Sequence, residues 1–184
     1  MGIKQSGFTL VEVLMVLGVI AIVVPSIMSI SYVILSEQLR IYRLTETKRQ
    51  GDYIMNVMKE KITRDADTLF DNNPGSNVCV SAGDSFTSPA GTEFDFVDAD
   101  GNTFSFRQVA NNMVITDLTV LPTITSNLND ARVSITGLTI ECSRKTRLTL
   151  PLVGFAFDAT FVDATPTARE GTITLHYQTK VKLR

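Results

Sequence analysis

Residues 13–35, VLMVLGVIAIVVPSIMSISYVIL, contain no charged side chain, between Glu12 on one side and Glu37 on the other. An apolar run of that length is long enough to cross a bilayer as a helix. Residues 36–65 change character without an intervening loop. Leu35, Leu39 and Tyr42 are spaced four and three apart, and Ile54, Met58 and Ile62 repeat at four with Tyr53 and Val57 beside them. Charged residues fill the remaining positions, which predicts an amphipathic continuation of the same helix. Gly51 weakens its middle without ending it. The combined helix runs from about residue 9 to 66 and is roughly 85 Å long at about 1.5 Å per residue. Its heptads are too irregular for a coiled coil.

Beyond residue 66 the period shifts from helical to alternating. Residues 67–92 are rich in Asp, Asn, Gly, Ser and Pro and read as loop, with a short strand around Val78–Val80. Phe94 and Phe96 alternate with polar residues, and Thr103–Gln108 repeats the pattern with Phe104 and Phe106. The intervening DADGN carries an Asp-Gly pair suited to a hairpin turn. Met113–Val120, Arg132–Glu141 and Thr172–Leu183 read as further strands, and Leu148–Phe161 as a longer apolar stretch interrupted by Pro151 and Gly154. Gly137 shifts the phase of Val133/Ile135 against Leu138/Ile140 and predicts a bulge. The expectation is an α+β chain: a long N-terminal helix on a mostly antiparallel domain of five to seven strands.

Composition bounds this picture without changing it. Of the 184 residues, 44% are apolar and 20% charged, so the chain is neither disordered nor wholly embedded in lipid. The net charge of -2 argues against nucleic acid as a main partner. The charge is split, with a basic excess in residues 1–65 and an acidic excess beyond. Lys4 precedes the apolar run with no acidic residue before Glu12, which predicts a cytoplasmic N-terminus and an exported domain. The run is too long for an ordinary signal peptide and passes straight into helix, so it reads as retained. Cys79 and Cys142 are the two cysteines, an even number in an exported domain, and one disulfide is expected between them.

Little in the chain suggests catalysis. There is no GxSxG, HExxH or phosphate-binding loop and no metal-site spacing of Cys and His. Asp95, Asp98, Asp100 and Asn102 offer oxygen ligands of the kind calcium takes, but they miss the twelve-residue loop pattern, and a hairpin turn accounts for them better. His176, the one histidine, falls on the polar face of the last strand with Thr174 and Gln178. No cofactor is therefore expected, with calcium kept as an alternative. Two features of the N-terminus are harder to explain as mere anchor: Gly7 directly before Phe8, and Glu12, a carboxylate one turn into the helix. An ionisable side chain at membrane depth points to function by default.

The string KQSGFTLVEVLMVLGVIAIVVP resembles the class III signal of type IV pilins and type II secretion pseudopilins. The resemblance implies that a prepilin peptidase cuts between Gly7 and Phe8 and methylates the new amine of Phe8. Glu12, then the fifth residue, would pair with the N-terminal amine of a neighbouring subunit. The implied organisation is a leader at 1–7, a transmembrane half-helix at 8–35, an amphipathic half at 36–66 and an extracytoplasmic β-rich domain at 67–184. Implied partners are the peptidase, other pilins or pseudopilins and the inner-membrane assembly platform. The implied location is the inner membrane, single-pass, and then an extracytoplasmic pilus or pseudopilus. Many relatives carry a proline a few positions beyond Pro25. The length and the VSITGLTIECS segment resemble minor subunits, the J-type pseudopilin or the W-type pilin. Competing readings are a competence pilin using a patch such as Arg144, Lys145 and Arg147, a tip adhesin, and a single-span extracytoplasmic enzyme.

Overall fold

A computed structural model describes residues 9–71, 78–87, 94–119, 122–162 and 172–183. The chain divides into two compact units, Met1–Tyr42 and Arg43–Arg184, and helix α1 (Leu10–Asp65) contributes to both. In the first unit α1 continues through Pro25. Proline removes one backbone donor, the one that would serve the Ala21 carbonyl; the hydroxyls of Ser26 and Ser31 donate instead to the carbonyls of Ile22 and Ile27, each at 2.9 Å. The apolar window of this unit is wholly exposed.

In the second unit α1 becomes amphipathic, as the spacing of Ile54, Met58 and Ile62 predicted, whereas Leu35, Leu39 and Tyr42, expected on the same stripe, are exposed in the first unit. Thr47, Gly51, Ile54, Met58 and Ile62 are buried at intervals of three and four, which is one face of an α-helix. Val57 packs against this core, but Tyr53 is exposed, contrary to its expected place on the stripe. It sits about 100° round the helix from Ile54, beyond the edge of the buried face.

Among the described residues nine strands follow: β1 (Thr68–Asp71), β2 (Ser85–Thr87), β3 (Phe94–Val97), β4 (Thr103–Val109), β5 (Asn112–Asp117), β6 (Ile124–Asn127), β7 (Val133–Ser143), β8 (Leu152–Phe161) and β9 (Thr174–Lys182). They form two antiparallel sheets, ordered β1-β3-β4-β5-β6 and β2-β7-β8-β9. The architecture is α+β, with α1 packed on antiparallel sheets, and it is pilin-like. The strand expected at Val78–Val80 is instead a bend in which Cys79 takes a φ of +59°. A strand absent from the sequence reading, β1, lies directly after the helix and pairs with β3.

Inward-facing aromatics hold the layers together. Phe94, Phe96 and Phe106 are fully buried, and the Phe96 and Phe104 rings stack at 5.3 Å. Phe86 of β2 meets Phe94 of β3 edge-on at 5.6 Å, joining one sheet to the other. On β8, Phe157 stacks on Tyr177 of β9 at 5.3 Å. Tyr177 in turn lies against Gly51, where a Cβ would collide with its ring, and its hydroxyl donates to the Lys48 carbonyl at 3.2 Å.

A second link between the sheets is polar. The buried Asn129 accepts the Met113 N–H of β5 at 2.8 Å through Oδ1 and donates through Nδ2 to the Val133 carbonyl of β7 at 2.6 Å. Gly137, at a φ of +66°, marks the register shift between Thr136 and Thr139 in β7, the expected bulge. Cys79 and Cys142 are joined as a disulfide across a sequence separation of 63. On the chain-entropy account, a loop of that length stabilises the fold by about 4 kcal/mol.

Candidate functional site on the N-terminal helix

Gly7 and Phe8 lie outside the described residues, which begin at Thr9. Thr9 starts the helix. Its carbonyl accepts the N–H groups of Glu12 and Val13 at 3.1 and 3.2 Å, and its hydroxyl oxygen faces the Glu12 N–H at 3.4 Å. Thr9 is thus the N-cap, and Thr9-Leu-Val-Glu12 has the spacing of a capping box, Thr at the cap and Glu three residues on. That spacing is legible in the sequence, at the edge of the apolar run. A carboxylate in the first turn also complements the positive end of the helix dipole. Glu12 therefore has a local reason to sit at this position besides any contact with another chain. Its side chain is exposed, as are those around it from Leu10 to Leu35, apart from a half-buried Ser36 just beyond.

A segment of this kind can do two things chemically. It can enter lipid, since its apolar window has no covering within the described residues. It can also present one anion at a fixed height near the helix start, to which a cation brought by another molecule would be drawn. An ion pair in that setting is worth having only if both partners keep good hydrogen bonds, because each loses its hydration.

The remaining candidates have structural roles. Asp98 organises the β3–β4 turn. Its carboxylate accepts the Asn102 N–H at 2.7 Å, the Asp100 N–H at 2.9 Å and the Asn102 side-chain amide at 2.8 Å. These bonds, the Asn102 side chain first, hold the Asp98 carboxyl below its usual range. Gly101 completes the turn at a φ of +83°. The turn is the role read from the Asp-Gly pair, and among the described residues no group of three or more His, Cys, Asp or Glu side chains is arranged to hold a metal ion. His176 Nδ1 lies 2.7 Å from Asp158 Oδ1 across the β8–β9 register, on the exposed face.

The Arg144, Lys145 and Arg147 patch is smaller than the sequence implied. The Arg144 guanidinium donates to the carbonyls of Val80 at 2.9 Å, Arg147 at 2.8 Å and Thr149 at 3.0 Å, which commits it to its own loop.

A long apolar helix running into an antiparallel β domain defines the pilin-like class, a structural subunit built around its N-terminal helix. Residues 3–24 match the family described as the prokaryotic N-terminal methylation motif. This prepilin-type motif, ahead of a helix of membrane-spanning length, is consistent with the type IV pilin and pseudopilin superfamily. It implies processing by a prepilin peptidase and assembly with related pilins. The chain has no match among curated proteins or among solved structures.

Proposed function

We propose that this chain is a minor structural subunit of a type IV pilus or type II secretion pseudopilus, assembled through its N-terminal helix. The observation that carries the reading is the exposed apolar stretch of α1 with a single carboxylate, Glu12, in its first turn, inside a matched methylation motif. Removal of residues 1–7 would leave Phe8 as an N-methylated first residue. Its ammonium and Glu12 of a neighbouring subunit would neutralise each other as helices bundle, offsetting two desolvation penalties and setting the axial register. Lys4 would keep the leader in the cytoplasm, and the β-rich domain would face outward. The inner-membrane assembly platform and other pilins or pseudopilins are the expected partners, with no nucleic acid among them. A β domain of two sheets favours a minor subunit, of the J or W type, over a short major one.

The test is Glu12→Ala in the full chain. The variant is expected to reach the membrane at the parent level and to enter sheared fibres at a tenth or less of the parent amount, an effect on the order of 1.4 kcal/mol or more. Parent-level incorporation would remove Glu12 from the assembly contact. Glu12→Gln distinguishes charge from capping: it retains much of the helix-start geometry but not the anion, and is expected to fail similarly.

A further inference from the structure

The loop between β7 and β8 is more tightly built than an idle connection requires. Beyond its bonds to Val80, Arg147 and Thr149, the Arg144 guanidinium reaches the Thr146 carbonyl at 3.3 Å. Thr149 closes the turn, its N–H donating to the Thr146 carbonyl at 3.1 Å and its hydroxyl accepting the Thr146 N–H at 3.0 Å. Backbone bonds from Gly83 to the Arg144 carbonyl at 2.8 Å and from Arg144 to the Asp84 carbonyl at 3.0 Å clip its base. The Cys79–Cys142 disulfide lies beside it.

This ordered loop holds its largest apolar side chain out in solvent. Leu148 is 99% exposed, and Leu150 and Val80 are each 51% exposed. A lone exposed leucine is ordinary. Here the leucine sits at the tip of a clamped turn with exposed Lys145 and Arg147 three and one residues before it. Lys182 flanks the loop on β9, opposite Leu152. Three acids lie near the base of the loop: Asp84, which accepts the Ser81 N–H at 2.7 Å, Glu141, which like Lys180 lies close to Gly154, and Asp67, which lines a groove with Val80, Arg144 and Leu150. The local balance is cationic in a domain whose overall charge is acidic.

We propose that the loop Lys145–Leu150 is a lipid-docking tip, which seats on an anionic membrane surface with Leu148 in the interfacial layer and Lys145 and Arg147 on the headgroups. The convex shape favours lipid over protein, since a protruding leucine enters a deformable phase without needing a matched socket. The clamp favours it as well. Arg144 already takes up carbonyls of the turn, which lowers the cost of bringing that backbone against the edge of the hydrocarbon region. Basic residues beside an apolar tip are the combination that anionic lipid surfaces select. The proposal does not depend on which fibre, if any, the chain joins.

The chain contains no tryptophan, so Leu148→Trp gives a single fluorophore at the tip. The full chain carrying it, held in phosphatidylcholine nanodiscs, is mixed with vesicles of phosphatidylcholine and phosphatidylglycerol in equal parts. A blue shift of the emission is expected with these vesicles and none with phosphatidylcholine vesicles. Adding Lys145→Glu and Arg147→Glu should weaken the interaction roughly 10- to 100-fold, with the thermal unfolding midpoint unchanged. Three results would overturn the proposal: no shift on the mixed vesicles, an equal shift on the neutral ones, or a shift that grows with protein concentration without added vesicles. The last would mean that the tip seats on protein.

Discussion

Asn129 shows how much of this fold rests on single side chains. Its amide joins β5 to β7 where no backbone ladder does, and also reaches Asn112 Oδ1 at 3.1 Å. Asn129→Ala would leave the Met113 N–H and the Val133 carbonyl without this partner in a buried setting. Each buried group so stranded costs about 1–3 kcal/mol, so a net loss of roughly 2–4 kcal/mol is expected in denaturant unfolding. Asp65 makes a pH-dependent contribution. The Arg64 hydrogen bond first, then Lys61, lower its carboxyl from 3.8 to about 2. The depressed value means that the stabilisation is complete above the unfolded value and fades as pH falls from about 4 through about 2. Solvent around Arg64 limits it to about 1 kcal/mol. A carboxyl titration followed by NMR should place the Asp65 midpoint near 2; a midpoint near 4 would show the pair to be ineffective.

At the scale of the element, helix α1 meets the second sheet through the absence of a side chain. The Tyr177 ring is fixed between Phe157 and the helix, with its hydroxyl on the Lys48 carbonyl. It cannot easily yield to a new Cβ at Gly51. Alanine should gain about 1 kcal/mol in helix propensity and lose more to overpacking, which costs about 1–3 kcal/mol. Gly51→Ala is therefore expected to lower the unfolding midpoint, and Tyr177→Leu in the same chain to recover most of the loss. A more stable single variant would contradict the close approach. From sequence, Gly51 looked only like a weak point in a helix, because the ring that explains it lies 126 positions away.

The same contrast separates the legible strands from the rest. Phe94/Phe96 and Phe104/Phe106 advertise their faces by alternation, and Gly137 advertises its bulge. β6 is exposed at every position and so carries no alternation to read. β1 is four residues long and abuts the helix, and β2 is three residues long within a polar stretch. The Leu148–Phe161 run read as an apolar stretch interrupted by Pro151 and Gly154; the strand starts at Leu152, just past Pro151, and continues through Gly154. At the N-terminus the sequence carried both the motif and the Thr-x-x-Glu spacing of the cap, and the backbone bonds of Thr9 show that the cap forms. Arg144 read as part of a basic patch, because its carbonyl partners are set by a fold that a list of residues does not show.

In the whole molecule, a clamped, disulfide-bonded β domain follows a helix whose apolar first half is uncovered among the described residues. An exposed apolar segment of this length is suited to entering lipid or packing against other helices. The central claim is that the start is processed for assembly. Mass spectrometry of the mature N-terminus, on protein from cells that possess a prepilin peptidase, tests it most directly. The expected species begins at Phe8, lacks Met1 to Gly7 and carries one added methyl group on its amine. An intact Met1, or a chain cut at any other bond, would contradict the account.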